Sequence, residues 1–159
     1  MVLVERIVWG LWLGSGAFLA AVAAPAAFQS SPTSTDAANV VGAMLESWHW
    51  IATIAPLLIL ISCLRRNSGI GIRIVLGVAL LLAGVQWMVD ARIKTIRAES
   101  PVAISDLDRA DPVRRRFVMM HGISSSLLLV QILCAAAVAL RPEDPRSRGP
   151  ASTPEPGTD

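Results

Sequence analysis

The chain has 159 residues, 53% of them hydrophobic and 16% charged, against roughly a quarter charged in an ordinary soluble domain. A net charge of +2 and two cysteines exclude a disordered chain, a disulfide scaffold and a nucleic-acid binder. Four stretches carry no Asp, Glu, Lys or Arg, namely Ile7–Phe28, Trp48–Leu64, Ile74–Val89 and Phe117–Leu140. They predict an all-α integral membrane four-helix bundle over residues 1–140, with the lipid bilayer as its first partner.

A helix needs about 20 apolar residues to cross the hydrocarbon core, and the first span, 7–28, meets this outright. Span two, 48–64, is shorter and is extended by Val40–Ser47, with Thr35 or Asp36 as the expected cap. Span three reaches full length as 70–89 if Arg73 snorkels to the headgroups on its aliphatic stem. Beyond it, Val89, Ile93 and Ile96 keep helical spacing, which predicts a helical extension over 90–97 that stands clear of the bilayer. Ser100 and Pro101 can open a short helix through Leu107, and Asp111 followed by Pro112 reads as a cap and first-turn proline. That start carries Arg114, Arg115 and Arg116 into the interface ahead of span four, 117–140. Residues 141–159 are polar, rich in Pro, Glu, Asp, Ser and Gly, and are expected to be a disordered tail. A rival reading takes Ile7–Val22 as a signal-peptide core cut near Ala21–Ala23.

Trp9 and Trp12 fall near one face of the bilayer, and Trp48, Trp50 and Trp87 near the other, as two aromatic belts would. In span one, Gly10, Gly14, Ala17, Ala21 and Ala24 draw one stripe of small residues along the helix. It predicts close packing inside the bundle, or else the seam of a homodimer or larger membrane complex. The two faces tie at seven Lys and Arg each. The short loop 65–73 carries Arg65, Arg66 and Arg73 and the first loop none, which favours cytoplasmic termini in the inner membrane of a bacterium.

Threading four spans brings the first and third loops to one face, where His49, Gln86, Asp90, Arg116, His121, Ser124 and Ser125 gather as a candidate polar cluster. One reading is interfacial glue, with Asp90 paired to Arg116 and His121 bonded to a serine or Gln86. A second is haem b, with His49 and His121 as axial imidazoles. A third is Cu(I), held by His49, His121 and Met120 with Met44, Met88 or Met119 nearby, because thioethers and imidazoles suit that ion. Cys63 and Cys134 are isolated thiols in apolar helices and read as packing residues. With no phosphate loop, CxxC, HExxH or nucleophile elbow in the sequence, the leading expectation is a non-enzymatic subunit or a solute- or metal-handling component. A haem-binding electron carrier is the alternative.

The run Trp9, Gly10, Leu11, Trp12, Leu13, Gly14, with Phe18, Ala24, Pro25 and Phe28, resembles the opening helix of the transmembrane protein 205-like family of small four-span proteins. Arg116, Phe117, Met120, His121, Gly122 and Ser124 are similar to that family's motif at the start of its last helix, and Asn39–Gly42 to its lead-in to helix two. The resemblance implies a four-span bundle without an established reaction and adds weight to His121. A looser likeness is to the membrane domain of copper-resistance proteins of the D type.

Overall fold

Backbone amides have no partner in lipid outside a helix or closed barrel, so each apolar run must pair its own. The computed structural model describes residues 3–140, and no strand occurs among them. Four helical stretches, Leu3–Ser30, Ser34–Arg65, Ile70–Glu99 and Pro112–Ala139, are long and apolar enough to cross a membrane. The polar tail 141–159 lies outside the described residues.

The first stretch is built from α1 (Leu3–Phe18), a π-helical segment (Leu19–Ala23) and α2 (Ala24–Ser30). Pro25 lacks an amide hydrogen and its ring crowds the carbonyl four residues back. The widened turn ahead of it absorbs that mismatch, so the helix continues instead of breaking.

α3 (Ser34–Arg65) is 32 residues long, about 48 Å at helical rise, so its first turns stand outside a hydrocarbon core of about 30 Å. Its cap is Thr33 rather than Thr35 or Asp36: the Thr33 hydroxyl accepts from the Asp36 amide at 3.1 Å and donates to the Asp36 carboxylate at 2.7 Å. That reciprocal pair satisfies the first turn from two positions upstream of Thr35 and three upstream of Asp36. α4 (Ile70–Glu99) runs through the expected extension, and α5 (Pro112–Ala139) starts as the sequence predicts, with the Asp111 carboxylate accepting from the Val113 amide at 2.7 Å. Between them only Ile104–Asp106 is helical, as a single 3₁₀ turn.

α1 packs on α3 and α5, and α4 packs on the same two helices, which closes a four-cornered bundle. Its core holds Trp12, Trp48, Ile59, Leu76, Ala79 and Ala135. Two expectations are corrected here. Trp12 and Trp48 are 0% and 3% exposed and fill the interior instead of forming belts, and half-buried Trp9 donates its indole N–H to the Ala135 carbonyl at 2.7 Å, whereas Trp50 is exposed as a belt residue would be. Gly10, Gly14 and Ala21 lie exposed on the outer surface with Ala17 and Ala24 half-buried, and a Cβ at Gly10 or Gly14 would meet nothing within 4 Å. The inward face is instead Trp12, Gly16, Leu19 and Ala27, because the bulky Trp48 ring needs a glycine opposite it. A Cβ at Gly16 would lie 2.9 Å from Trp48 Cζ2. At the far end Glu5 accepts from the Ser62 hydroxyl and pairs with Arg66 at 3.5 Å, tying α1 to the end of α3.

Candidate functional site

On α4 the residues Gln86, Asp90, Lys94 and Arg97 are four, four and three apart, and so share one helical face. That face meets α3 and α5 at the membrane boundary. Gln86, 0% exposed, donates its amide N–H to Asp90 Oδ1 at 3.1 Å and to Ser124 Oγ at 2.6 Å. The Ser124 hydroxyl in turn donates to Asp90 Oδ1 at 3.2 Å. His49 Nδ1 lies 3.0 Å from Asp90 Oδ2. A carboxylate oxygen this close favours the imidazole tautomer that carries its proton on Nδ1. Three helices thus converge on one carboxylate. His49 Nε2, Gln86 Oε1 and Asp90 Oδ2 are left buried without a hydrogen-bond partner among the described residues, so the His49–Asp90 approach is an ion-pair contact without hydrogen-bond alignment. The imidazole is flanked by the Trp48 and Trp87 rings, with centroids at 6.0 Å and 5.6 Å.

The network forms the inner end of a cavity of about 780 Å³ bounded by the outer turns of α3, α4 and α5 and by segment 102–105. This size lies within the range of about 300–1,000 Å³ usual for sites holding one small molecule. Val41, Leu45, Phe117 and Val118 give it an apolar wall. At its outer rim Lys94 pairs with Glu46 at 2.9 Å. Arg97 donates to Asn39 Oδ1 at 3.3 Å, with its guanidinium 5.3 Å above the Phe117 ring. Arg114 donates to the backbone carbonyls of Ser105, at 3.4 Å, and Leu107.

Of the sequence-predicted residues, His49, Gln86, Asp90 and Ser124 are joined in one network, and His121 lines the same cavity with its ring stacked on Phe117 at 6.0 Å and 4°. Arg116 and Ser125 are exposed and outside the cavity, so the expected Asp90–Arg116 pair is replaced by Asp90–His49. The reason is angular. At about 100° per residue, Arg116 stands about 140° round the helix from His121, whereas Arg114, seven positions earlier than His121, shares its face. Arg114, Lys94 and Arg97 are the cavity residues that sequence reasoning missed, and continuing the Gln86–Asp90 stripe outward would have found the latter two.

The soft-metal set does not assemble. Met44, Met88 and Met119 are exposed, Met120 is half-buried, and none of the four lines the cavity. Among the described residues no group of three or more His, Cys, Asp and Glu is placed to hold a metal ion. His49 does keep the carboxylate-oriented posture typical of a ligating imidazole, with His121 on the same cavity as the second candidate. A hydrolytic arrangement is absent from this network: the hydroxyl of Ser124 donates to Asp90 and makes no bond to His49.

Fold and site together define a four-span, all-α membrane protein with a polar network and cavity at one boundary of the bundle. The chain belongs to the family described as a domain of unknown function (DUF4149), which it matches over residues 7–100. His49, Gln86 and Asp90 fall inside the matched stretch, and His121 and Ser124 beyond it. No curated protein and no solved structure matches the chain.

Proposed function

We propose that this chain is a non-enzymatic membrane protein that binds a small molecule in the boundary cavity, with His49, Asp90, Gln86 and Ser124 as the inner end of its site. The observation that carries the reading is the His49–Asp90 pair, 3.0 Å apart within a bundle of membrane-spanning helices. Ionisable groups at such depth are costly to place, and apolar packing of equal volume would hold the helices at least as well. Their retention beside a cavity of ligand size is accounted for if they act on what the cavity holds. The likeness to the transmembrane protein 205-like family is compatible with this reading and assigns no reaction.

Under this reading the loop at 66–69 and both termini face the bacterial cytoplasm and the cavity opens on the opposite side, as the basic residues of the short second loop favour. A cysteine placed at Ala110, in a background lacking Cys63 and Cys134, should then react with a membrane-impermeant maleimide added to intact spheroplasts. Protection until the membrane is permeabilised would reverse the orientation.

The binding reading is tested by native mass spectrometry of protein extracted gently from its own membranes. Ala38 is half-buried on the cavity wall and outside the polar network, so Ala38→Trp fills the space without touching the network. Wild type should carry a non-covalent adduct that Ala38→Trp lacks. An adduct-free wild type, or an adduct kept by the filled variant, would overturn the reading. A reducible Soret band in the same preparation, lost in His49→Ala and His121→Ala, would replace it with a haem b electron carrier.

A further inference from the structure

The charges around the cavity are unevenly compensated. Lys94 has Glu46 and His49 has Asp90, at 2.9 and 3.0 Å. Arg97 and Arg114 have no carboxylate partner among the described residues, and their contacts are one amide oxygen, one aromatic ring and backbone carbonyls. Each spends a single guanidinium nitrogen, Nη1, on those hydrogen bonds, which leaves its remaining N–H donors available. A guanidinium presents those donors as a rigid fork that matches carboxylate and phosphate oxygens. Arg97 is moreover held in place by Asn39 and the Phe117 face, so little freedom is lost when it engages an anion.

From these observations we propose that the ligand of the cavity is a single-chain anionic amphiphile, with its carboxylate or phosphate head between Arg97 and Arg114 and its tail along Val41, Leu45 and Val118. The proposal rests on the cavity being a binding site. The Asp90 carboxylate at the inner end repels an anion, so the head stays at the rim and charge alone orients the molecule. The two guanidiniums stand at the outer turns of α4 and α5, near the headgroup level of a bilayer, where such amphiphiles partition.

The test is a thermal-shift and calorimetric titration of the full chain in neutral detergent with dodecyl phosphate, dodecanoate, inorganic phosphate and dodecyltrimethylammonium. At least one anionic amphiphile should bind on the order of tenfold more tightly than the cationic one, and Arg97→Gln should remove about that factor, the worth of a charge-assisted hydrogen bond. Preference for dodecyl phosphate assigns a phospholipid-type source, and preference for dodecanoate a fatty acid. Arg115→Gln and Arg116→Gln, at exposed positions outside the cavity, should change nothing. Arg114→Gln also removes a brace of the 102–107 segment, so Arg97→Gln with an unchanged melting temperature is the deciding variant. Equal binding of the cationic amphiphile, equal binding of inorganic phosphate alone, or equal losses in Arg97→Gln and Arg116→Gln would each overturn the assignment. If no anionic probe binds while the native adduct persists, the anion assignment falls and the binding site stands. If the adduct is missing too, both fall.

Discussion

Removing the carboxylate of Asp90 takes the acceptor from two hydrogen-bond donors and the ion-pair contact from His49. Oδ1 receives the Gln86 amide at 3.1 Å and the Ser124 hydroxyl at 3.2 Å, and Oδ2 faces His49 Nδ1 at 3.0 Å. Hydrogen bonds between membrane helices average about 0.6 kcal/mol and reach about 1.7, and a buried donor left without an acceptor costs about 1–3 kcal/mol. Gln86 keeps its 2.6 Å bond to Ser124, so its loss falls at the low end. Asp90→Ala should therefore cost about 3 kcal/mol, or about 1 for each of the two hydrogen bonds and the His49 contact. Asp90→Asn keeps a carbonyl oxygen for Gln86 and Ser124, and its amide can serve a His49 that has shifted its proton to Nε2. Its cost should be about 1 kcal/mol or less. At about 2–4 °C per kcal/mol for a chain of this size, the alanine variant melts roughly 6–12 °C lower and the asparagine variant less than about 4 °C lower. Thermal unfolding in mild detergent reads this through the fluorescence of the five tryptophans, of which Trp48 and Trp87 flank the imidazole. Equal shifts for the two variants, or none for either, would refute this account of Asp90.

Gly16→Ala should destabilise by about 1–3 kcal/mol, because its Cβ would meet Trp48 Cζ2 at 2.9 Å and Trp48 is only 3% exposed. Gly14→Ala, where a Cβ meets nothing within 4 Å, should leave the melting temperature unchanged or raise it; the reverse order would put the packed face of α1 elsewhere. Gln131 is 0% exposed on α5, and neither of its amide atoms has a partner among the described residues. Gln131→Leu should accordingly stabilise the bundle by about 1 kcal/mol or more, read as a rise in melting temperature. A fall would show that the amide carries a role in the folded protein.

The four apolar runs, the Asp111–Pro112 start of α5 and the outward extension of α4 were legible because each depends on local chemistry: length, caps and periodicity. The convergence of His49, Gln86, Asp90 and Ser124 was legible from depth along the helices, since all four fall near one boundary of the bilayer. Azimuth was the weak point. Depth alone treats Arg114 and Arg116 alike, and only the angular offset around α5 decides which one reaches the cavity. The small-residue stripe of α1 failed for a different reason. Tryptophan is amphipathic and suits both interface and core, and the choice was made by Trp48 on another helix, which selects Gly16 as its counterpart in place of Gly14. The cap of α3 fell on Thr33 because its hydroxyl and the Asp36 amide and carboxylate satisfy one another, a pairing that leaves Thr35 and Asp36 inside the helix.

The most direct test of the site is nitrogen NMR of the chain labelled with ¹⁵N-histidine in lipid nanodiscs, because the sequence contains two histidines and His121→Ala assigns the pair. The geometry predicts that Asp90 biases His49 to the tautomer with its proton on Nδ1, while His121, stacked on Phe117 and without a hydrogen bond among the described residues, exchanges between tautomers. Asp90→Asn should move the His49 proton to Nε2 and leave the His121 signals in place. Freely exchanging His49 tautomers in the wild type, or signals indifferent to Asp90→Asn, would contradict the assembly of the site.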